Sequence, residues 1–396
     1  MSEPSAATQN ALQTNARSKA GSWSAPGRVN LLGEHTDYTG GFVLPMAINF
    51  ATTATITPAD DDQYHFDSAS FPERRTQSRD DRSPKQGGWA DYPTGVLRQM
   101  QALGLDIAPF ILHIDGNVPL GAGLSSSASI EVATAVALLG FSGHKLPLEE
   151  IAVLCRRAEN QYVGAPSGIM DQFVSTAAKA GHALLLNTRT LAYEHLPIAT
   201  GTLATTRVVV TNSMVKHSIA SGEYSVRYRQ VMDGQQALRE QFPEVEDLGG
   251  ATLEQLAACE DKMSTESYKR CRHIISENGR VREARVAMTA GDAAAFGKLM
   301  VSSHASQRDD FECSVAETDF LADTALTLEG CYGARLTGGG FGGCTVSLVE
   351  AKNVPAFVTA LQAAYRERFG IEAPCYVCEA VDGAVARHPE VVEVAL

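Results

Sequence analysis

The run Pro26-Gly-Arg-Val-Asn-Leu-Leu-Gly-Glu-His-Thr-Asp-Tyr-Thr-Gly-Gly41 places Glu34, His35 and Asp37 within a few residues, with Arg28 just upstream. Glycines flank the cluster, so backbone and ligand can approach closely. Carboxylates beside an imidazole offer several acceptors fixed in direction. A polyhydroxylated ligand such as a sugar needs that set. An isolated G-E-H-x-D would equally well be a solvated polar turn; the whole run argues for a site.

Two more segments carry glycine in patterns that bear on chemistry. Pro119-Leu-Gly-Ala-Gly-Leu-Ser-Ser-Ser-Ala-Ser129 joins a strand to a long apolar helix. Its free amides sit at a helix N-terminus, where the dipole favours an anion. Its serines can donate to phosphate oxygens or face a Mg²⁺. It lacks the G-K-[ST] ending of a Walker A loop. It nearly fits the dinucleotide pattern, with Ser126 at the third glycine, but no acidic residue follows at the right strand end. A serine-capped helix start explains this segment alone as well as a phosphate cradle does. Leu336-Thr-Gly-Gly-Gly-Phe-Gly-Gly-Cys344 can wrap a ligand or form a flexible hairpin. Glu159 ends an amphipathic helix, and Asp171 opens another beside Gly168. Taken singly, each is an ordinary surface or helix-end acid.

The 396 residues suffice for two cores. The composition is that of a globular protein, 44% hydrophobic and 20% charged. No run of about 18 apolar residues suggests a membrane span, and the start lacks a secretory signal. A formal charge of -13 argues against a nucleic-acid binder. The eight cysteines are scattered; Cys375 and Cys378 form one C-x-x-C on a strand-like stretch, without a second pair for zinc. Reduced thiols and a cytoplasmic setting are expected.

Strands are expected at 42–57, 107–115, 182–187, 207–211, 333–337, 344–349 and 374–379. Helices are expected at 126–140 with a stop at Gly140, and at 148–163, 168–180, 221–241, 266–290, 292–305, 314–329 and 353–369. Residues 72–88 read as an exposed loop and 188–206 as a turn-rich boundary. The mixture, without steady βαβ alternation, suggests α+β in both halves.

Together and in this order, the segments resemble those of the GHMP kinase family, and within it the galactokinases, over about residues 23–380. The resemblance implies a two-domain α+β fold with mixed sheets and helices, and an active site in the cleft between the domains. The domains would span 22–195 and 205–396, after a polar arm at 1–21. It implies transfer of phosphate from ATP to the anomeric hydroxyl of α-D-galactose, the first kinase step of galactose metabolism, with Mg²⁺. Asp171 would be the catalytic aspartate and Arg28 the arginine that stabilises it. Glu34, His35, Thr36, Asp37, Gly168 and Tyr224 would bind the sugar. Gly121, Ala122, Gly123, Leu124, Ser125, Ser126 and Ser127 would bind ATP, and Ser127 and Glu159 the Mg²⁺.

Alternatives within the family are a kinase of N-acetylgalactosamine or L-arabinose, or a non-catalytic galactose sensor. The intact triple serine and Asp171 argue against the sensor. Galactose and ATP are the expected partners, without nucleic acid or membrane, and the chain is expected to be a monomer or weak homodimer. The arm is shorter and less aromatic than the family's usual N-terminal helix. Leu32 and Thr39 stand where isoleucine and asparagine are commoner.

Overall fold

A computed structural model describes residues 18–165, 167–216 and 222–393. Most of the expected polar arm, up to residue 17, and the expected helix start at 221 lie outside the described residues.

β1 (Gly21–Leu32) and β2 (Phe42–Pro58) form a long antiparallel pair, as their β-branched and apolar content favours. After them come β3 (Gln63–Ser68), β4 (Arg75–Ser78), α1 (Asp91–Ala102), β5 (Phe110–Gly116) and α2 (Ser126–Ser142). Next are α3 (Leu148–Arg157), α4 (Met170–Ala177), β6 (His182–Asn187) and β7 (Tyr193–Pro197). These strands make one mixed sheet in the order β4-β3-β5-β2-β6-β7, with β1 also paired to β2. Only β3 and β5 run parallel among its described pairs.

The second half begins with β8 (Thr206–Lys216), then α5 (Glu223–Gln241), α6 (Leu253–Ala257), α7 (Thr265–Ala290), α8 (Ala293–Ser306) and α9 (Ala316–Thr327). It closes with β9 (Cys331–Thr337), β10 (Gly342–Glu350), α10 (Val354–Phe369), β11 (Cys375–Cys378) and α11 (Ala384–Arg387). Its sheet is antiparallel in the order β11-β8-β10-β9.

α2 is apolar nearly all round because it is covered on all sides. Its Val132, Val136, Leu139 and Phe141 join Ile56, Phe110 and Leu112 of the first sheet in one core. A second core bridges the halves: Val29 and Met46 pack with Val208, Val210 and Val346, and with Val281 and Met288 of α7. The chain end returns to the first half, where Glu390 accepts from the Trp23 indole at 3.0 Å and His388 accepts from the Ser24 amide at 2.9 Å. Among the described residues no helix is long and apolar enough to cross a membrane. All eight cysteines are free thiols, and Cys375 and Cys378 lie on a strand as expected.

Four local expectations change. Residues 72–88 hold β4, and Arg75 is buried there in a 2.6 Å bond to Asp91, so this is not simply an exposed loop. Residues 188–206 contain β7 and a 3₁₀ turn at Gly201–Thr205. The helix expected over 148–163 is α-helical only to Arg157 and continues as a π turn, Ala158–Val163. Gly140 does not stop α2, which runs to Ser142 and ends at Gly143 with φ +72°. Instead Gly140 makes room for Trp23, whose indole carbons would lie 2.3 Å from an added Cβ.

That packing sets opposite expectations for Gly140→Ala. As a plain helix position, alanine would stabilise by about 1 kcal/mol. Against the indole, it should destabilise by about 1–3 kcal/mol. Urea unfolding checks the sign, and a stabilised variant would show that the indole yields.

Candidate active site

β1 carries Arg28 into the cleft, and the loop beyond it carries Glu34, His35 and Asp37. α7 pins both ends of that loop. Glu277 accepts from the Gly33 amide at 2.8 Å, and Asn278 accepts from the Phe42 amide at 2.7 Å. Burial opposes a charge on Glu277, but Arg280, His273 and Arg335 overcome it and hold the carboxyl down to about 2. The Thr36 hydroxyl lies 2.9 Å from the Gly33 carbonyl and 2.7 Å from that of Phe42. Its side chain therefore closes the loop and is not presented to a ligand.

Glu34 is buried, and its Oε1 accepts from the Gly338 amide at 2.8 Å and lies 2.9 Å from Arg335 Nη2 in an ion pair. The Thr337 hydroxyl is 3.2 Å from the same oxygen and 2.9 Å from the Asn30 carbonyl. Arg335 is itself fully buried, and its Nη1 donates to the Asn30 carbonyl at 3.1 Å. Oε2 stays available as an acceptor. His35 has a left-handed backbone, φ 62°, and stacks on Phe311 at 4.0 Å. Burial, then His273 and Arg335, push its imidazole down to about 3, so the ring is neutral at pH 7. Among the described residues its buried Nε2 has no hydrogen-bond partner.

Asp37 is pushed up to about 7, first by burial and then by the charges of Asp171 and Glu34. Its carboxylate lies against Gly168, where an added Cβ would be 1.8 Å from Oδ2. No side chain fits there. Tyr224, in the first turn of α5, faces His35 at 5.9 Å between ring centres and lies beside Gly339. Burial, then Asp37 and Tyr228, push its phenol up, so it stays a hydroxyl.

Asp171 lies in the first turn of α4. Arg28 grips it with two bonds, Nε to Oδ1 at 2.8 Å and Nη2 to Oδ2 at 2.7 Å. The third guanidinium nitrogen of Arg28 donates to the Gly123 carbonyl at 2.6 Å. The Ser125 hydroxyl donates to Oδ2 of Asp171. One arginine thus ties the aspartate to the serine-rich loop. That loop turns through left-handed residues at Gly121, Gly123 and Ser125, and α2 starts at Ser126. Ala122 and Leu124 are buried, so only their backbone faces outward, while Ser126 and Ser127 are half-exposed. The first-turn amides make a ready anion site.

Glu159 lies in the π turn and is almost fully buried. Its Oε2 accepts from the Ser167 hydroxyl at 2.5 Å and from Gln172 Nε2 at 2.8 Å. Burial raises its pKa, while the hydroxyls of Ser167 and Ser127 oppose the rise. Among the described residues no three His, Cys, Asp or Glu side chains cluster as a metal cage. One carboxylate and one hydroxyl, completed by phosphate oxygens, fit a Mg²⁺ that keeps few protein ligands.

The structure therefore gathers Arg28, Glu34, His35, Asp37, Gly168, Asp171 and Tyr224 at one place, beside the loop 121–127. Sequence reasoning missed Arg335, Glu277, Phe311, Ser167 and Gln172. Arg335, Glu277, Phe311 and Ser167 stand in no recognisable local pattern, and Gln172, next to Asp171, carries no signal of its own. Thr337 and Gly338 lay in the third glycine-rich segment, but nothing there pointed to Glu34. A cavity of about 1050 Å³ lies elsewhere, between Phe42, Tyr193, Arg285 and Val286. It contains none of the residues above apart from the loop end at Phe42, so volume alone does not mark the reaction site.

Comparison with known proteins agrees with this arrangement. The family pattern described as the galactokinase galactose-binding signature matches residues 13–58. The GHMP kinases N terminal domain matches 91–179 and the GHMP kinases C terminal domain 284–367. The chain is 42% identical to the human galactokinase over 369 residues, covering 91% of each protein. It is 40% identical to the galactokinase of Halalkalibacterium halodurans, again covering 91% of each. The crystal structure of Lactococcus lactis galactokinase complexed with galactose superposes with a TM-score of 0.88 at 34% identity, over 92% of this chain and 94% of that one. The Methanococcus jannaschii mevalonate kinase, at 19% identity and a TM-score of 0.67, covers 93% of this chain and 100% of its own, and shares the fold. With the signature, both kinase domains and two-fifths of its residues in common with these relatives, the chain belongs to the galactokinases of the GHMP kinase family.

Proposed function

We propose that this protein transfers the γ-phosphoryl group of ATP to the anomeric hydroxyl of α-D-galactose, giving galactose 1-phosphate and ADP. The observation that carries this is the Arg28–Asp171 pair, which joins the sugar-type acceptors to the serine-rich loop through the Gly123 carbonyl. Glu34 Oε2, Asp37 and the neutral His35 accept from or donate to the sugar hydroxyls. Tyr224 covers them, and Gly168 leaves room beside Asp37. Amides of residues 121–127 hold the phosphates, and the apolar recess by Ser126, lined by Phe71, Leu120 and Ile130, suits the nucleotide base.

Phosphoryl transfer asks for alignment and charge stabilisation more than covalent help. Asp171 accepts the hydrogen bond of the anomeric hydroxyl and takes its proton as the oxygen bonds to the γ-phosphorus. The bond from phosphorus to the bridging oxygen breaks, and ADP leaves with the electron pair. Arg28 holds Asp171 in one orientation throughout. Ser127 and Glu159 would hold Mg²⁺, which when bound neutralises phosphate charge. Among the described residues no ion pair reaches the Glu159 carboxylate, which supports that role.

A coupled ADP-release assay with galactose, talose, glucose, N-acetylgalactosamine and arabinose tests the function. Turnover with galactose is expected. Preference for the amino sugar or for arabinose, or no turnover at all, would refute it.

Asp171→Asn should lower kcat by about 100- to 10,000-fold while leaving ADP affinity within a few-fold. Single-turnover kinetics and calorimetry measure the two, and near-normal turnover would sink the base assignment. Asp37 gives a pH dependence. A carboxyl raised to about 7 is ionised above that value and neutral below it. As pH falls, the sugar loses a charged acceptor, so kcat/KM for galactose should drop about tenfold per unit well below that point. The same limb should be missing in Asp37→Asn.

A further inference from the structure

Behind Asp171 lies a buried group that the reaction scheme leaves unused. Gln172 is fully buried, and both hydrogens of its amide are spent on carboxylates. Nε2 donates to Glu159 Oε2 at 2.8 Å and to Glu131 Oε2 at 2.9 Å. Glu131 is also fully buried, on the first turns of α2, and no ion pair reaches it among the described residues. Among the described residues its Oε1 and the Oε1 of Gln172 have no hydrogen-bond partner.

Only one orientation of this amide works. Turned over, Gln172 would aim its carbonyl oxygen at the Glu159 carboxylate in a dry interior, and Oε2 of both Glu159 and Glu131 would lose the N–H that it accepts from. Glu131 therefore fixes which end of the amide faces Glu159. The amide in turn shares Glu159 Oε2 with Ser167. Two donors on one oxygen set the rotation of the carboxylate and leave Oε1 for another partner. The chain Glu131–Gln172–Glu159 also links three elements: α2, which begins at the phosphate loop; α4, which carries Asp171; and the π turn.

We propose that Gln172 and Glu131 are positioning residues for the cation carboxylate: Gln172 sets the rotation of Glu159 through Oε2, and Glu131 sets the orientation of Gln172. The inference rests on Glu159 as a Mg²⁺ ligand. Glu131 needs only to present an acceptor oxygen, not a charge. Its burial, and then Glu159 beside it, push its pKa well above the usual carboxylate range, which agrees.

The test uses Mn²⁺ as the cation probe, titrated by electron paramagnetic resonance into the full-length protein with saturating ADP. Gln172→Met keeps the side chain's length and removes the donors. It should weaken Mn²⁺ binding by about 10- to 100-fold, the usual cost of losing support behind a metal ligand. Glu131→Leu should weaken it comparably. Glu131→Gln keeps an acceptor oxygen and should restore it to within about threefold of the parent, a smaller change than a lost supporting contact produces. Galactose affinity by calorimetry serves as the fold control and should move by less than about twofold in all three, since small shifts accompany changes away from a site.

Mn²⁺ binding unchanged in Gln172→Met would overturn the proposal. So would Glu131→Gln as weak as Glu131→Leu, because a charge rather than an acceptor would then be needed. Glu159→Ala separates the two levels of argument. If it too binds Mn²⁺ normally, Glu159 is not the ligand and the underlying assignment fails. If Glu159→Ala loses the ion and Gln172→Met does not, only the positioning role fails.

Discussion

Glu34, Asp37, Glu131, Glu159 and Asp171 all converge on one water-poor cleft. Among the described residues just two ion pairs reach them, Arg335–Glu34 and Arg28–Asp171. Carboxylates in a low dielectric repel one another, so each must be paired, hydrogen-bonded or neutralised. The cleft uses all three means. Asp171 and Glu34 take the two guanidinium groups. Asp37 is pushed up to about 7 and Glu131 well beyond the ordinary range. Glu159 is left with hydroxyl and amide donors and a raised pKa. The described side chains of the cleft are short of positive charge on the side of Glu131 and Glu159. The geometry of nearly every other group follows from managing that shortage.

The second half of the chain serves this purpose at a distance. Arg335 stands on β9, yet its partners, Glu34 and the Asn30 carbonyl, belong to the first sheet's strand and loop. Removing one member of such a buried pair costs about 3–5 kcal/mol, because the other is stranded. Glu277 and Asn278 of α7 hold the same loop by its backbone. The sugar-type acceptors are thus supplied by one half and fixed by the other. That dependence agrees with a core continuous between the two sheets. Two π turns, Ala158–Val163 and Gln307–Phe311, present Glu159 and the ring that stacks on His35. Such turns widen a helix locally and re-aim a side chain, and they recur at working sites for that reason.

Much of this was legible in the sequence, and what was not has physical causes. Apolar periodicity placed the long helices and β2 within a few residues, because burial of one face is a local signal; β1 (Gly21–Leu32) was missed, since its burial is nearly continuous and glycine and proline interrupt it. Gly140 misled because a glycine in a helix signals either an end or a close contact, and only the position of Trp23 decides between them. The π turn was hidden because the amphipathic pattern runs through Ala158–Val163 unchanged. Arg28, Glu34, His35 and Asp37 were visible as a cluster because they share one short loop. Thr36 was grouped with them by adjacency, although its hydroxyl faces the backbone. Arg335 lies about 300 residues from Glu34, and no spacing rule spans such a distance. Gln172 stood in the motif beside Asp171 and gave no sign of its own, since a glutamine's partners depend on what the fold packs against it.

The adjacency of Asp171 and Gln172 closes the argument. Successive residues on a helix point about 100° apart. One turn of α4 therefore directs Asp171 toward the acceptor side and Gln172 toward Glu159. Arg28 holds the first through two bonds and also grips the serine-rich loop at Gly123. Glu131 holds the second from the helix that the same loop begins. A shift of α4 relative to α2 would disturb both contacts together. The positions of Asp171 and Glu159 are thus set by a single packed joint, so neither can drift from the serine-rich loop without the other.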